Sequence, residues 1–309
     1  MLTVDEALDR AAHIITSARK AGADAADALY CCDAATSVSM RLGKLEDVES
    51  SVSQDIALRV FIGQRSASVS SADMDAAALT ALVERCIAMA REAPEDEFAG
   101  LAPADRLMTG PAPDLDLDDG SEPDPQALRS AALAAEDAAR SVAGVTNSEG
   151  GSAGHSRVRF ALATSHGFAG GYGMSAHSLS ASVIAGEGSG MQRDYGWHSA
   201  RHGDELEAPE VIGRRAGDRA VARLNPGKAP TGKLPVLFDP RVGGSLVGHL
   251  IGAIGGPAIA RRTSFLLDKL DNDLFDSAIV IRDEPHRPRG LRSRAFDGEG
   301  LPTAARDIV

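Results

Sequence analysis

The chain has 309 residues, enough for two or three domains with cores of their own. Hydrophobic residues make up 43% and aromatic residues 4%, which excludes a disordered chain and leaves Ala, Val, Leu and Ile to build the cores. A net charge of −12 repels a phosphate backbone and no apolar run reaches membrane-spanning length, so neither direct nucleic-acid binding nor a membrane anchor is expected. The three cysteines, Cys31, Cys32 and Cys86, give no disulfide framework. The first residues lack the basic start and apolar core of a signal peptide, so a cytoplasmic protein is expected.

In chain order, Thr3 and Glu6 form a capping-box pattern, followed by Leu8, Ala11, Ala12, Ile15 and Ala18 at helical spacing, with Gly22 as the stop. Five short strands are expected next, over 28–32, 37–42, 46–51, 56–62 and 66–70, separated by turn residues. A helix over 75–93 closes this part, with Leu79, Leu82, Val83, Ile87 and Met89 on its apolar face. Residues 110–125 turn Pro-rich and acidic. Asp114, Asp116 and Asp118 alternate as in a calcium loop, but Asp119 stands where that loop needs Gly and Pro125 where it needs Glu, so a solvated acidic loop is expected.

A helix over 124–142 leads into a region, 144–203, whose alternation (Val158, Phe160, Leu162; Leu179, Ala181, Val183) predicts an antiparallel sheet. A helix over 208–224 stops at Asn225-Pro226-Gly227. A strand over 234–238, a Gly-rich helix near 243–252 and a strand over 278–281 are expected after it. Asp297-Gly298-Glu299-Gly300 reads as a hairpin turn, and Arg306-Asp307-Ile308-Val309 as a strand at which the sequence stops in mid-sheet. The fold class is therefore α+β. An N-terminal helix and strand-meander domain (1–110) and an acidic linker (111–125) precede a helix plus antiparallel sheet region (126–226) and a last segment (227–309).

Several motifs carry chemistry on paper. Gly150-Gly151-Ser152-Ala153-Gly154 satisfies G-x-S-x-G, but a strand follows it where a nucleophile elbow needs a helix. Gly171-x-Gly173-x-x-Ala176 is a loose dinucleotide pattern, also without its helix, and reads as a tight turn. His198 and His202 are four apart, but flanking Gly196 and Gly203 argue against a helix that would present both to a metal. Arg193, Asp194, Tyr195 and Trp197 gather a guanidinium, a carboxylate and two large aromatics in five residues. They can bind a peptide main chain, or form a structural pair with the aromatics on a core face. In the Gly-rich helix His249 stands alone, and one imidazole cannot hold zinc, which needs three protein ligands. A hydrogen-bonded histidine at a close helix contact is the plainer reading.

Val236-Leu237-Phe238-Asp239-Pro240, the helix from Gly248 to Ile254 and Ala260 to Leu266 together resemble the TldD/PmbA family, more closely its PmbA (TldE) branch. Met191 to Tyr195, Phe296 to Gly300 and Arg306 to Ile308 extend the resemblance in order along the chain. The resemblance implies an H-E-x-x-x-H zinc motif whose second histidine matches His249, while its first histidine falls on Gly244 and its glutamate on Ser245. No catalytic residue and no metal ligand is then expected in this chain, zinc being carried by a TldD-like partner in a heterodimer; a homodimer is the other assembly considered. The C-terminal part of the family fold, with the remaining zinc ligation, is expected to be absent. Implied substrates are unfolded or thiazole/oxazole-modified peptides, microcin precursors and an antitoxin, and the name modulator of DNA gyrase would reflect that genetics rather than DNA contact. Two alternatives are a metal-independent hydrolase using Ser152 or Ser245, and a stand-alone peptide-binding scaffold.

Overall fold

The computed structural model describes residues 2–309. Helix α1 (Val4–Lys20) begins with the expected capping box: the Thr3 hydroxyl accepts from the Glu6 amide, and the Glu6 carboxylate accepts from the Thr3 amide. Strands β1 (Ala25–Arg41), β2 (Lys44–Ile62) and β3 (Arg65–Ser71) follow, then α2 (Ala76–Glu92). Helix α3 (Pro125–Arg140) precedes β4 (Val145–Thr164), β5 (Ala169–Ala185) and β6 (Gln192–Ala200), then α4 (Pro209–Ala222). All six strands form one antiparallel sheet in the order β3-β2-β1-β4-β5-β6. The expected segments 1–110 and 126–226 thus contribute to the same sheet.

The five short strands expected before residue 71 are three, two of them 17 and 19 residues long. At about 3.3 Å per residue such strands run about 60 Å. Their ends lie over cores, but residues 44–53 of β2 are exposed on both faces. With nothing to bury, that stretch carries Ser, Glu and Asp; the break expected between 51 and 56 falls inside β2. Beyond the stretch of β2 paired with β3, Glu46, Asp47 and Glu49 place charges along the unpaired edge and discourage edge-to-edge association. The loose dinucleotide pattern is likewise strand rather than turn, lying inside β5.

Alternation along β1 and β4 puts two helix pairs on the same face of the sheet, at opposite ends. Helices α1 and α2 cover Ala28, Tyr30, Leu58 and Ala161. Helices α3 and α4 cover Val38, Met40, Ala153 and Leu179. The opposite face carries a third cluster, in which Phe296 packs edge-on against Phe168 and Tyr172 with ring centres 4.9 and 5.4 Å apart. That phenylalanine arrives on the segment 284–304, whose expected turn is present: the Asp297 carboxylate accepts from the Glu299 and Leu301 amides. Cys31 and Cys32 face opposite sides of β1 and cannot pair; burial pushes the Cys31 thiol up and away from reactivity.

Residues 226–283 and 305–309 form a separate unit. It holds α5 (Pro240–Ile254), α6 (Gly256–Ala260) and the short pair β7 (Arg282–Asp283) and β8 (Arg306–Asp307). The strand begun at Arg306 is therefore paired within the chain. The expected strand at 234–238 is irregular and has no pairing partner among the described residues; Val236 and Leu237 are exposed and Pro235 lacks an N–H. The expected strand at 278–281 is a turn apart from Ile281, whose backbone bonds Ile308 and Val309.

Candidate functional site

The face of the sheet opposite α3 and α4 is open and lined with serines. A groove of about 420 Å³ crosses it beside Ser39, Ser152, Ser180, Ser182, Arg193 and Tyr195. Along β6 the exposed residues are Arg193, Tyr195 and Trp197, while Asp194 and Gly196 turn toward α4. Arg193 and Asp194 are therefore not a pair. Arg193 reaches Glu149 at 3.2 Å, and Glu149 also accepts from the Ser182 hydroxyl at 2.8 Å. Asp194 is buried and takes Arg223 at 2.8 Å. Nor do the aromatics sit on a core face: Tyr195 is 43% and Trp197 48% exposed. Three of the four grouped residues, Arg193, Tyr195 and Trp197, are exposed on this face, and Asp194 ties β6 to α4.

The serine alternatives lack a base. Ser152 lies inside β4 and its hydroxyl meets Ser39 at 3.4 Å; no imidazole lines the groove. Ser245 donates to the Val242 carbonyl at 2.6 Å within its own helix.

Helix α5 starts at an Asp239 cap that accepts from the Arg241 amide. Gly244, Ser245 and His249 are all exposed. Among the described residues no close helix contact is present there, contrary to the reading of His249 as packed: a Cβ added at Gly244, Gly248 or Gly252 would meet nothing within 4 Å. Val242, Leu246, Val247 and Ile251, which surround the glycine stripe, are exposed too. Zinc at a peptidase site needs three protein donors and a base. This helix offers one imidazole, so its residues do not fit the group.

Sequence reasoning missed a cluster on the helix-covered face, between the two helix pairs. Residues 114–119 lie along the edge of β5 that β6 leaves free: the Ser175 amide donates to the Leu117 carbonyl at 2.9 Å, and the Ser175 hydroxyl accepts from the Asp119 amide. Leu115 and Leu117 are buried, so this is not a solvated loop. Asp118 takes Arg157 at 2.8 Å and Asp116 takes Arg289 at 2.6 Å. Asp119 takes His177 at 2.7 Å, and His177 stands opposite His155 on the neighbouring strand with ring centres 4.8 Å apart. One signal could have found the pair. A tight turn at Ser165–Gly167 fixes the β4–β5 register and sets residue 155 opposite 177. His198 and His202 do not converge: the first takes the Glu207 amide, the second lies against Asp116.

Burial alone would raise the Asp119 carboxyl. Hydrogen bonds from the Ser121 hydroxyl and amide, the Gly203 amide and His177 overcome it and hold the group well below the usual carboxylate range. Burial first, and His177 second, push His155 down. At each group the unfolded chain binds more protons than the folded one as pH falls through the unfolded pKa, about 6.5 for His and 3.9 for Asp. The cluster's stabilisation is therefore full above about pH 7. It declines below about pH 6.5, where the unfolded chain takes a proton that His155 resists, and again below about pH 4, where the unfolded chain takes one that Asp119 resists. Asp119→Asn should flatten the lower limb of a Tm-against-pH curve recorded in chelator; an unchanged slope between about pH 5 and 3 would contradict this.

Comparison with known proteins agrees with this architecture. Residues 34–90 match domain 1 of the PmbA/TldA metallopeptidase family, 118–224 its central domain and 231–309 its C-terminal domain. The metalloprotease PmbA of Escherichia coli is 38% identical over 274 residues, covering 88% of this chain and 61% of that protein. A Haemophilus influenzae PmbA homologue is 36% identical over 294 residues, covering 94% and 64%. The chain thus spans just under two thirds of the length of these relatives. A Bacteroides thetaiotaomicron crystal structure assigned as a candidate modulator of DNA gyrase superposes with a TM-score of 0.92 at 27% identity, covering 100% of this chain and 70% of that one. TldE from Thermococcus kodakarensis shares the fold, with a TM-score of 0.79 at 18% identity, over 97% and 67% of the two chains.

Fold and matches together define a protein of a metallopeptidase class. The chain belongs to the PmbA/TldD family. The expectation that the C-terminal part of the family fold is missing is corrected in part: residues 231–309 match that domain and fold as α5, α6 and the β7–β8 pair, while the chain spans 61% of the Escherichia coli relative.

Proposed function

We propose that this chain is a PmbA/TldE-type subunit of a zinc metalloprotease complex, non-catalytic by itself, that presents peptides to a TldD-like partner. One observation carries the reading. At the positions where the family's motif has its first histidine and its glutamate, this chain has Gly244 and Ser245, on an exposed helix that keeps only His249. The apolar surface of α5, with glycines every fourth residue, suits close approach by another subunit, and a heterodimer is the assembly proposed. Unfolded or modified peptides are the proposed substrates, in keeping with a groove that offers hydroxyls, one guanidinium and the Tyr195 ring, with Trp197 exposed further along β6, rather than a deep side-chain pocket. The relatives' printed name, metalloprotease, describes those proteins.

Trp197 is the chain's one tryptophan, so its emission should change when an extended peptide enters the groove. Arg193→Ala and Tyr195→Ala should each weaken that binding by about fivefold or more, the size of a contributing contact. Equal affinity in both variants would remove the groove from the proposal. The complex itself is tested by co-expressing the chain with a TldD-like subunit and assaying co-purification and cleavage of an unfolded polypeptide. Cleavage that needs both chains supports the reading; a TldD-like subunit equally active alone, with no association, contradicts it.

A further inference from the structure

We infer that Asp119, His155 and His177 form a binding site for a divalent transition-metal ion such as zinc, separate from α5 and from the open groove. The donor set is two imidazoles and one carboxylate, a combination suited to such ions and poorly suited to calcium or magnesium. Their ligand atoms all lie within 4.8 Å of one another. Donors on one tetrahedral ion with bonds of about 2 Å stand about 3.4 Å apart, so side-chain shifts of about 1 Å close the set.

The surroundings are built for such a role. The Ser121 amide and hydroxyl hold one Asp119 oxygen at 3.0 and 2.7 Å, and the Gly203 amide holds the other at 3.1 Å. Groups that orient a ligating carboxylate in this way are the usual outer shell of a metal site. His155 is buried and lines a cleft of about 220 Å³ with Thr36, Glu122 and Arg157, which leaves room for a water in the remaining coordination position. The neighbouring cation is already matched, since Arg157 is held by Asp118 at 2.8 Å and Glu122 at 3.6 Å.

A latch without metal would need only the Asp119–His177 pair. It gives no role to His155, whose ring stands edge-on to His177 and, among the described residues, has the Ser121 hydroxyl at 3.3 Å as its hydrogen-bond partner. An ion between the rings gives both imidazoles one function: it fastens the 114–122 segment to β4 and β5, between the two helix pairs.

The test uses the whole chain, stripped with chelator and titrated with Zn2+ by calorimetry. About one Zn2+ per chain should bind, with a Tm rise on the order of 5 °C at a hundredfold excess over Kd. His249→Ala should leave this unchanged, which separates the site from the family's motif position. The double variant His155→Ala/His177→Ala should lose at least about 100-fold in affinity, and Asp119→Asn, which keeps its shape, should lose at least about tenfold. Co2+ should give ligand-field bands without the sulfur charge-transfer absorption that Cys31 or Cys86 would add. If the double variant does not fold, the Asp119→Asn titration, the wild-type Tm rise and the Co2+ spectrum still decide. Binding weaker than about 100 µM, a thiolate spectrum, or wild-type affinity in the variants would overturn the inference. None of these readouts depends on peptidase activity, so their failure is distinct from failure of the proposed function.

Discussion

Glu136→Ala should destabilise the sheet-bearing unit by about 3 kcal/mol, through loss of one anchored hairpin. Glu136 is fully buried on α3, and its two carboxylate oxygens accept from the Leu42 amide at 2.7 Å and the Gly43 amide at 3.0 Å. Those two residues are the whole turn between β1 and β2, both at positive φ, 50° and 75°. A two-residue hairpin turn of this kind wants Asn or Gly at both positions, and a leucine there costs about 1 kcal/mol. The carboxylate offsets that cost with two charge-assisted bonds of about 1.5–3 kcal/mol each, some of which water recovers in the variant. A fall in Tm on the order of 10 °C follows, with faster tryptic cutting at Arg41 and Lys44. The conservative Glu136→Gln should fall between, since its amide sets donors against a donor. If Glu136→Ala melts within a degree or two of the parent, the hairpin stands without its anchor and this account of β1–β2 is wrong.

Gly213→Ala should be destabilising by about 2 kcal/mol or more, although the same change in an open helix is favourable by up to about 1 kcal/mol. Gly213 lies in α4 where it crosses α3, and an added Cβ would stand 2.8 Å from Ala138 Cβ and closer still to the Ala135 carbonyl oxygen. The contact cannot relax cheaply, because backbone meets backbone. On its other side α4 lies on β6, where Gly196 faces the Ile212 carbonyl, and α3 lies on β4, where Gly151 faces the Ala132 carbonyl. The helix pair is thus fixed to its neighbours by glycines and alanines, which accounts for a core with so few aromatic residues. Gly244→Ala in α5 is the internal control: nothing lies within 4 Å of the new methyl, so helix propensity alone should act and stability should be unchanged or slightly raised. Chemical denaturation of the three proteins decides it, and a stabilised Gly213→Ala would refute the packing described.

Helices were the most legible part of the sequence, because caps and apolar spacing act locally: Thr3 with Glu6 for α1, Asp124 before Pro125 for α3, and Asn225-Pro226 beyond α4. The antiparallel character of 144–203 was legible from alternation for the same reason. Strand length was not. The expected breaks at 33–36 and 52–55 are continuous strand, because backbone pairing of β1 with β2 runs straight through them. The same holds in reverse at 234–238, where an apolar run predicts a strand but no partner is present among the described residues. At the candidate site, the placing of Gly244, Ser245 and His249 on one helix was legible, because their spacing is local. The Asp119, His155 and His177 cluster was not, since it is assembled from two strands and a separate loop, and only the β4–β5 register brings its parts together.

On the proposed function, this chain does not cut peptides unaided. The most direct measurement is cleavage of an unfolded polypeptide by the purified chain alone, in zinc and in chelator, with and without a TldD-like subunit. The account predicts no cleavage by the chain alone in either buffer, and chelator-sensitive cleavage when the partner is added. Chelator-sensitive cleavage by the chain alone, abolished by His249→Ala, would contradict it.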